Sequence, residues 1–355
     1  MQDQTFHVMN LSPKYRIFKS LIAIFLCFFS LTINAQDVLY PFQEGGKYGY
    51  INQSGKVIVE AKFSLGEQYF EGMAVVKEGG KKGYLDKQGK VAIAPKYDEA
   101  FKFKEGMAVV KEAGKWKYID KSGKVLFEVV ADYAYNFSDG MARFQKGTKL
   151  GYYDKTGKVV VEPMYDYAFD FSEGLARVKK GDSKTGKYGY IDKTGKFVIQ
   201  PAYDDCFDFK EGTANVRIGN EQRGKWGFID KSGKMVIEPQ FDKANQFSDG
   251  IAAIRVGDFK SGKWGYIDRS GKIVVNPRFD GAMNFSEGLA CVRVGDPKNG
   301  KWKYIDKSGK IVIDKDFDFP SDFRNDLAYV RIGSFKTGTI AYVDKKGAFV
   351  WQLKK

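Results

Sequence analysis

The chain has 355 residues and a formal net charge of +14, and 15% of its residues are aromatic. Disordered chains lack such an aromatic content, so the composition excludes a largely disordered protein. His7 is the single histidine. A form of the chain that has lost its first residues therefore cannot build a His-ligated zinc site or a His-dependent catalytic triad.

The N-terminus has the pattern of an export signal. Three basic residues precede an apolar run over residues 21–33, and Ala35 supplies a small residue before Gln36. This pattern predicts a signal peptide over residues 1–35, and the run is short of the roughly 20 residues that span a membrane. We expect a periplasmic, cell-surface or secreted protein. A protein tethered by an uncleaved signal anchor is the alternative.

Residues 36–355 are predicted to form a single repeat domain. The motif Lys–aromatic–Gly–aromatic–Ile–Asp recurs along it, as in Lys225-Trp226-Gly227-Phe228-Ile229-Asp230. Its first residues lie at positions 47, 81, 115, 149, 187, 225, 263, 301 and 339. Regular spacing of this kind is typical of repeat architectures.

Each repeat predicts three strands. In the sixth repeat, the strand from Lys225 to Asp230 is followed by a Gly-containing hairpin turn and by a strand from Lys234 that ends at Pro239. The third strand, Ile251 to Val256, leads into the next motif. The predicted units lie near residues 38–60, 73–94, 107–128, 141–162, 175–200, 213–238, 251–276, 289–313 and 327–353.

This pattern predicts an all-β fold made of about nine three-stranded antiparallel, blade-like units. A ring-shaped propeller often closes by sharing one blade between the two chain ends, and here neither end lacks a strand. We therefore expect an open, curved or superhelical array. A closed β-propeller is the alternative.

The motif also carries a family resemblance. The segments Lys225-Trp226-Gly227, Lys263-Trp264-Gly265 and Phe285-Ser286-Glu287-Gly288-Leu289-Ala290, together with the Ile-Asp-Lys-Ser-Gly-Lys turns, resemble the WG-repeat (KWG-repeat) family from about residue 38 onward. Lys82, Leu150, Lys117 and Lys303 depart from the motif. The resemblance implies a tandem β scaffold in exported or surface-associated proteins, without a catalytic reaction.

One candidate site is a row across the strands of each unit. Symmetric hairpins place Arg217 opposite Trp226, and Trp226 opposite Glu238. The candidate binding residues of these rows are Trp116, Tyr188, Trp226, Trp264 and Trp302, with Lys111, Arg217, Arg255, Arg293 and Arg331. One interpretation is a ladder that binds a glycan, because sugar rings stack on aromatic side chains. The other is a purely structural cation–π contact within each sheet.

A second candidate site is the loop that lengthens the later repeats. Lys184, Lys260, Lys298 and Lys336 share one position in it. Insertions at one place in a repeat lie on one edge of the array and often bind partners. The alternative is a set of solvated hairpin tips.

The other chemically prominent residues have structural explanations. Asp230 and its equivalents begin hairpin turns, where we expect them to accept backbone N–H bonds. Cys206 and Cys291 replace small apolar residues and are expected to be buried rather than bonded to each other. No cofactor or metal site is predicted.

Near-uniform repetition favours a non-catalytic exported binding or scaffold protein that presents a β surface to a protein or glycan of the cell envelope. The basic charge favours an anionic partner. No nucleic-acid partner is expected, and membrane contact is expected only through the signal peptide before cleavage. A structural spacer is the alternative function, followed by a glycan-active enzyme.

Overall fold

The computed structural model describes residues 38–353 except 182–183, 259, 297 and 335–337. The predicted signal peptide lies outside the described residues. Residues from Val38 onward form one compact unit. The described part of the chain contains no helix with the length and apolar character needed to cross a membrane.

The strands form nine antiparallel sheets, which are numbered here as blades in chain order. Blade 1 contains β1 (Tyr40–Glu44), β2 (Lys47–Ile51) and β3 (Val57–Phe63). Blade 2 contains β4 (Leu65–Gly66), β5 (Ala74–Glu78), β6 (Lys81–Leu85) and β7 (Val91–Tyr97). Blade 3 contains β8 (Glu99–Ala100), β9 (Ala108–Glu112), β10 (Lys115–Ile119) and β11 (Val125–Val129). Blade 4 contains β12 (Tyr133–Ser138), β13 (Met141–Lys146), β14 (Lys149–Asp154) and β15 (Val159–Tyr165).

Blade 5 contains β16 (Tyr167–Ala168), β17 (Ala176–Lys180), β18 (Lys187–Ile191) and β19 (Phe197–Tyr203). Blade 6 contains β20 (Asp205–Cys206), β21 (Thr213–Ile218), β22 (Lys225–Asp230) and β23 (Met235–Phe241). Blade 7 contains β24 (Lys243–Ala244), β25 (Ile251–Val256), β26 (Lys263–Asp268) and β27 (Ile273–Phe279). Blade 8 contains β28 (Gly281–Ala282), β29 (Ala290–Val294), β30 (Lys301–Ile305) and β31 (Ile311–Phe317). Blade 9 contains β32 (Phe319–Pro320), β33 (Leu327–Ile332), β34 (Thr339–Asp344) and β35 (Phe349–Gln352).

The prediction of three strands per unit was wrong. Eight of the blades have four strands, because the connector between repeats contributes a short first strand beside the second. The fourth strand also continues past the proline at which it was predicted to end: Pro239 lies inside β23. Proline is tolerated there because β23 is the outer edge strand, where no ladder partner needs its missing N–H.

A bulge in the fourth strand explains the glycine of the repeated motif. Between Trp226 and Phe228 the register with β23 shifts, and the backbone of β23 passes directly over Gly227. A Cβ on Gly227 would lie 2.7 Å from the nitrogen of Pro239. Only glycine leaves room for this approach.

Two series of aspartates hold the backbone, and the first holds the hairpin turns as predicted. Asp230 Oδ1 accepts hydrogen bonds from the backbone of Ser232 (2.9 Å) and Lys234 (3.0 Å). In the other series, Asp242 accepts a hydrogen bond from the backbone N–H of Gly257 (2.9 Å) and forms an ion pair with Lys225 (2.6 Å). In blades 2 and 4–8 the lysine of the motif thus ties the blade to the connector that follows it.

The hydrophobic core lies between neighbouring blades. One cluster joins Trp226, Phe228 and Ile237 of blade 6 to Phe247 and Ile254 of blade 7. Buried tyrosine hydroxyls add hydrogen bonds across the same interfaces by donating to a backbone carbonyl of the next blade, in its first strand or just after it. These bonds run from Tyr50 to Glu67, Tyr84 to Phe101, Tyr118 to Tyr135, Tyr152 to Phe169, Tyr190 to Phe207, Tyr266 to Met283 and Tyr304 to Ser321.

The array closes into a nine-bladed β-propeller. The expectation of an open array was wrong, and the alternative of a closed propeller is confirmed. Gly55 of blade 1 packs against Val350 of blade 9, just as Gly89 of blade 2 packs against Val59 of blade 1. Tyr40 and Tyr342 meet across the closing junction with ring centroids 5.4 Å apart. Closure needs no shared blade, because the faces of the terminal sheets pack directly on each other.

Candidate ligand-binding channel

The segments after the first strands converge on the axis of the ring. Lys102 of blade 3 is near enough to Arg324 of blade 9 and Asp170 of blade 5 for their charges to act on its pKa, which burial lowers. Asp322 of blade 9 is similarly close to Lys210 of blade 6. Side chains from blades so far apart in the ring can meet only around a central channel.

One position of the repeat supplies polar side chains to this channel, and we call these side chains the channel row. It precedes the buried aromatic residue of each connector. Its members are Gln68, Lys102, Asn136, Asp170, Asp208, Gln246, Asn284 and Asp322. The row therefore contains four carboxamides, three carboxylates and one ammonium group, and it does not keep one residue type from blade to blade.

Arg143 of blade 4 and Arg177 of blade 5 lie beside Asp170 and Asp208 of the channel row. We call these four side chains the charged cluster of the channel. Arg177 Nε donates to Asp208 Oδ1 at 2.8 Å, and its guanidinium group lies 3.5 Å from the centroid of the Phe169 ring. Arg143 donates to the carbonyl of Ala168 at 2.5 Å. Its other nitrogen is 3.6 Å from Asp170 Oδ1. Alternating arginines and carboxylates of this kind suit a ligand that both donates and accepts hydrogen bonds.

Several buried polar atoms of the channel have no hydrogen-bond partner among the described residues. They are Asn136 Oδ1, Arg143 Nε, Asp170 Oδ1, Asn284 Oδ1 and Asp322 Oδ1. Most buried polar atoms in proteins are paired, so unpaired ones call for a physical explanation. Four of these five atoms belong to the channel row, so this row can take additional hydrogen bonds from a ligand.

The sequence model for the WG containing repeat matches residues 48–81, 83–116, 118–149, 151–183, 188–221, 226–258, 264–302 and 304–334. The chain belongs to the WG-repeat family. No curated protein matches it significantly.

Solved structures similar to this WG-repeat protein include a dipeptidyl peptidase and the tricorn protease. Dipeptidyl peptidase 4 of Porphyromonas gingivalis is 9% identical, with a TM-score of 0.52, over 90% of this chain and 59% of that one. The tricorn protease is 12% identical, with a TM-score of 0.38, over 85% of this chain and 41% of that one. The chain thus spans less than two thirds of either protein. At such identities the first likeness shows the fold alone, and the second carries no argument.

In the WG-repeat propeller, the predicted basic–aromatic pairs are real but largely internal. Arg217 lies opposite Trp226 as predicted, with its guanidinium 5.9 Å from the indole. Trp226 and Trp116 are only 1% and 2% exposed, so neither presents a face to a ligand. Arg293 over Trp302 (5.7 Å) and Lys111 over Trp116 (5.2 Å) make the same contact. The pairs Arg255–Trp264 and Lys179–Tyr188 are also opposite each other.

The prediction that Glu238 lies opposite Trp226 was wrong. Trp226 is opposite Phe241 rather than Glu238, and Trp264 and Trp302 are likewise opposite Phe279 and Phe317. The bulge at the proline position adds residues to the fourth strand, so its register cannot follow from a symmetric turn. In blade 9, the residue opposite Arg331 on the third strand is Ile340, which is not aromatic. The binding role of the partly exposed Tyr188, Trp264 and Trp302 stays a prediction.

The longer loops lie at hairpin tips. Lys184, Lys260 and Lys298 are exposed there, and Lys336 lies outside the described residues. Asp258 Oδ1 accepts the backbone N–H groups of Lys260 (2.7 Å) and Ser261 (2.8 Å), which orders the loop. These lysines are separate from the charged cluster of the channel, and their binding role stays a prediction.

The two cysteines of the propeller are free and buried, as expected. Burial raises the pKa of the Cys206 thiol to about 12 and raises that of Cys291 as well. A thiol that is protonated at neutral pH is a poor nucleophile. The described residues hold no group of three or more potential metal-ligating side chains.

Residue-level comparison of the repeats could have found the channel cluster. Positions that form the framework hardly vary between repeats, whereas the channel row changes in size and charge from one blade to the next. The position of Arg143 and Arg177 varies likewise, with Val109, Asn215 and Cys291 at its equivalents. Variation inside an otherwise regular repeat was the available signal.

Asp322 provides a pH-dependent test of the channel. Burial raises its pKa, although Arg324 and Lys210 oppose the shift. The folded state therefore holds this proton more tightly than the unfolded chain, and Asp322 costs stability as the pH rises through its folded pKa. We expect Asp322→Asn, which matches Asn284 in blade 8, to raise the melting temperature at pH 7 but not near pH 3.

The control is Asp230→Asn, measured over the same pH range. Hydrogen bonds from Ser232 and Lys234 lower the pKa of Asp230, so the native carboxylate is stabilising above its unfolded pKa. That advantage should disappear as the pH falls. Equal pH profiles for the two variants would contradict both assignments.

Proposed function

We propose that this WG-repeat propeller is a non-catalytic, exported binding or scaffold protein. Its partner is a protein or glycan of the cell envelope, held in part by the charged cluster of the channel. The observation that carries the proposal is the convergence of charged side chains and unpaired polar atoms on the channel, at positions that vary within a framework of otherwise regular blades. Polar groups converging in a preformed concavity are typical of binding sites.

Two features support binding without catalysis. Asp208 is engaged by Arg177 at 2.8 Å, so this carboxylate is tied into an ion pair instead of standing free as a base. Both thiols are buried and held protonated. Export is proposed from the N-terminal sequence pattern alone.

The ring weakens the spacer hypothesis. That hypothesis depended on two terminal sheet faces that stay open for end-to-end stacking. In the propeller these faces meet each other, with Phe42 of blade 1 against Trp351 of blade 9 at a centroid distance of 5.0 Å. A partner would therefore bind the ring at its channel or at its surface.

The test compares the wild type with a channel variant that carries Arg177→Asn and Asp208→Asn. Each replacement is the residue type that another blade has at the same position, Asn215 and Asn284 respectively, so folding should be preserved. Immobilised wild-type protein is screened against envelope glycans, peptidoglycan fragments and purified envelope proteins. We expect at least one to bind, and the channel variant to weaken it about tenfold or more, equivalent to about 1.4 kcal/mol.

A hairpin-tip variant, Lys260→Gln with Lys298→Gln, is the matched control. It removes two exposed charges far from the cluster and should leave affinity nearly unchanged at physiological salt. Binding that depends on the tip variant and not on the channel variant would refute the proposed site. Absence of binding to every partner would count against the proposed function itself.

A further inference from the structure

The junction between blades 9 and 1 differs from the other eight. Among the described residues, blade 1 has three strands, whereas each other blade begins with a short first strand. In blade 8 that strand is β28, and the segment around it donates backbone hydrogen bonds to β29. Asp280 N–H donates to the carbonyl of Arg293 (2.9 Å), and Met283 N–H donates to that of Cys291 (2.9 Å). β1 occupies the place of β29 in blade 1.

The chain itself fills part of this junction. Tyr40 stands where the other blades have alanine, at Ala74, Ala108, Ala142, Ala176, Ala214, Ala252, Ala290 and Ala328. Its ring packs on Tyr342. In other junctions the tyrosine equivalent to Tyr342 contacts an aromatic residue of the connector, as Tyr304 contacts Phe323. Pro41 has no N–H, and its carbonyl accepts the hydroxyl of Tyr342 at 2.7 Å. These residues replace the inner part of a first strand.

The junction also contains a groove of about 710 Å³, which we call the seam groove. Its lining includes Phe42, Gln43 and Tyr48 of blade 1, Arg331, Ile340 and Leu353 of blade 9, and Gln68 of the channel row. Its volume is within the range of roughly 300–1,000 Å³ that is usual for ligand pockets. In the other junctions, the corresponding space beside the second strand is taken by an extended segment of the chain.

We propose that the seam groove binds an extended peptide segment of a partner protein, added as a short strand antiparallel to β1. Gln43 corresponds to Arg293, so its backbone faces the groove as that of Arg293 faces β28. Strand addition to a sheet edge is a general mode of peptide recognition. The eight first strands of this same molecule show what such a groove accepts.

Those eight strands also define the side chain that fits. The residue opposite the position of Phe42 is small or compact in every case: Gly66, Ala100, Ala134, Ala168, Cys206, Ala244, Ala282 and Pro320. The partner's segment therefore carries a small residue at that position. The residue before it pairs with Gln43, as Gly281 pairs with Arg293.

The experiment uses the exported full-length chain, with its N-terminus determined by mass spectrometry, and a synthetic peptide of residues 279–283 with blocked ends. We expect saturable binding with one peptide per chain. N-methylation of the aspartate in the peptide removes the N–H equivalent to that of Asp280 and should weaken binding about tenfold. Replacing the peptide's alanine by tryptophan should abolish it.

On the protein side, Gln43→Pro removes the N–H that faces the groove and should weaken binding, whereas Gln43→Ala keeps that N–H and should not. Arg177 and Asp208 are not among the residues that line the seam groove, so the channel variant should bind the peptide normally. Absence of saturable binding, or equal affinity for the N-methylated peptide, would overturn the proposal. So would an exported chain whose own residues 31–36 occupy the groove, or a dimer in which a second copy fills it.

Discussion

Replacing Gly227 by alanine is expected to lower the free energy of unfolding by about 1–3 kcal/mol, the usual cost of overpacking. A Cβ at this position would lie 2.7 Å from the nitrogen of Pro239 and still closer to the carbonyl oxygen of Ile237. Both are backbone atoms of β23, so no flexible side chain can move aside. Chemical denaturation of the purified protein measures the loss.

The control is Lys303→Ala, at the equivalent position of blade 8. That blade has Lys315 where blade 6 has Pro239, and it already accommodates a side chain in place of the glycine. The variant loses only partly exposed ion pairs to Asp314 and Asp316, which are worth at most about 1 kcal/mol. Equal losses for the two variants would show that the close approach over Gly227 is not what requires glycine.

Replacing Tyr40 by alanine is expected to cost about 3–5 kcal/mol and to loosen the ring at its closing junction. The side chain is 6% exposed and packs on Tyr342, and removal of a buried aromatic residue has a cost of this size. Its hydroxyl also donates to the carbonyl of Asn325 at 2.6 Å. Denaturation measures the energy, and small-angle scattering measures the increase in the radius of gyration.

Two variants separate ring closure from ordinary core packing. Tyr40→Phe keeps the aromatic ring and loses one hydrogen bond, so we expect a cost of about 0.5–1.5 kcal/mol and an unchanged radius. Phe171→Ala removes a fully buried aromatic residue from an internal junction, where the chain runs continuously between blades. It should destabilise the protein without opening the ring. Expansion in both alanine variants would refute a special role for Tyr40.

Local sequence patterns were sufficient to predict the framework of each blade. The strands of the Lys-Trp-Gly motif, the Asp230 turn and the pairing of Arg217 with Trp226 all follow from interactions between residues close in sequence. Short hairpins restrict the register that their strands can adopt. The register of the fourth strand could not be predicted in this way. The bulge over Gly227 inserts residues into that strand, and the alternation of polar and apolar side chains does not reveal them.

The composition of the chain also bears on its function. The single histidine at position 7 and the repetition of nearly every prominent carboxylate argue for a binding role rather than a catalytic one. The same repetition draws attention to the tryptophans, because they recur. The fold shows why that emphasis is misplaced: Trp116 and Trp226 recur because they fill the interfaces between blades.

The sequence by itself determined the all-β repeat, the number of units, the turn aspartates and the family. Only the tertiary structure decided that the array closes, that Tyr40 completes the closing junction, and that Arg177 and Asp208 meet beside the channel. The physical reason is the range of the interactions. Turns and hairpins depend on neighbours in the sequence, whereas closure depends on a small rotation between blades that accumulates over nine interfaces.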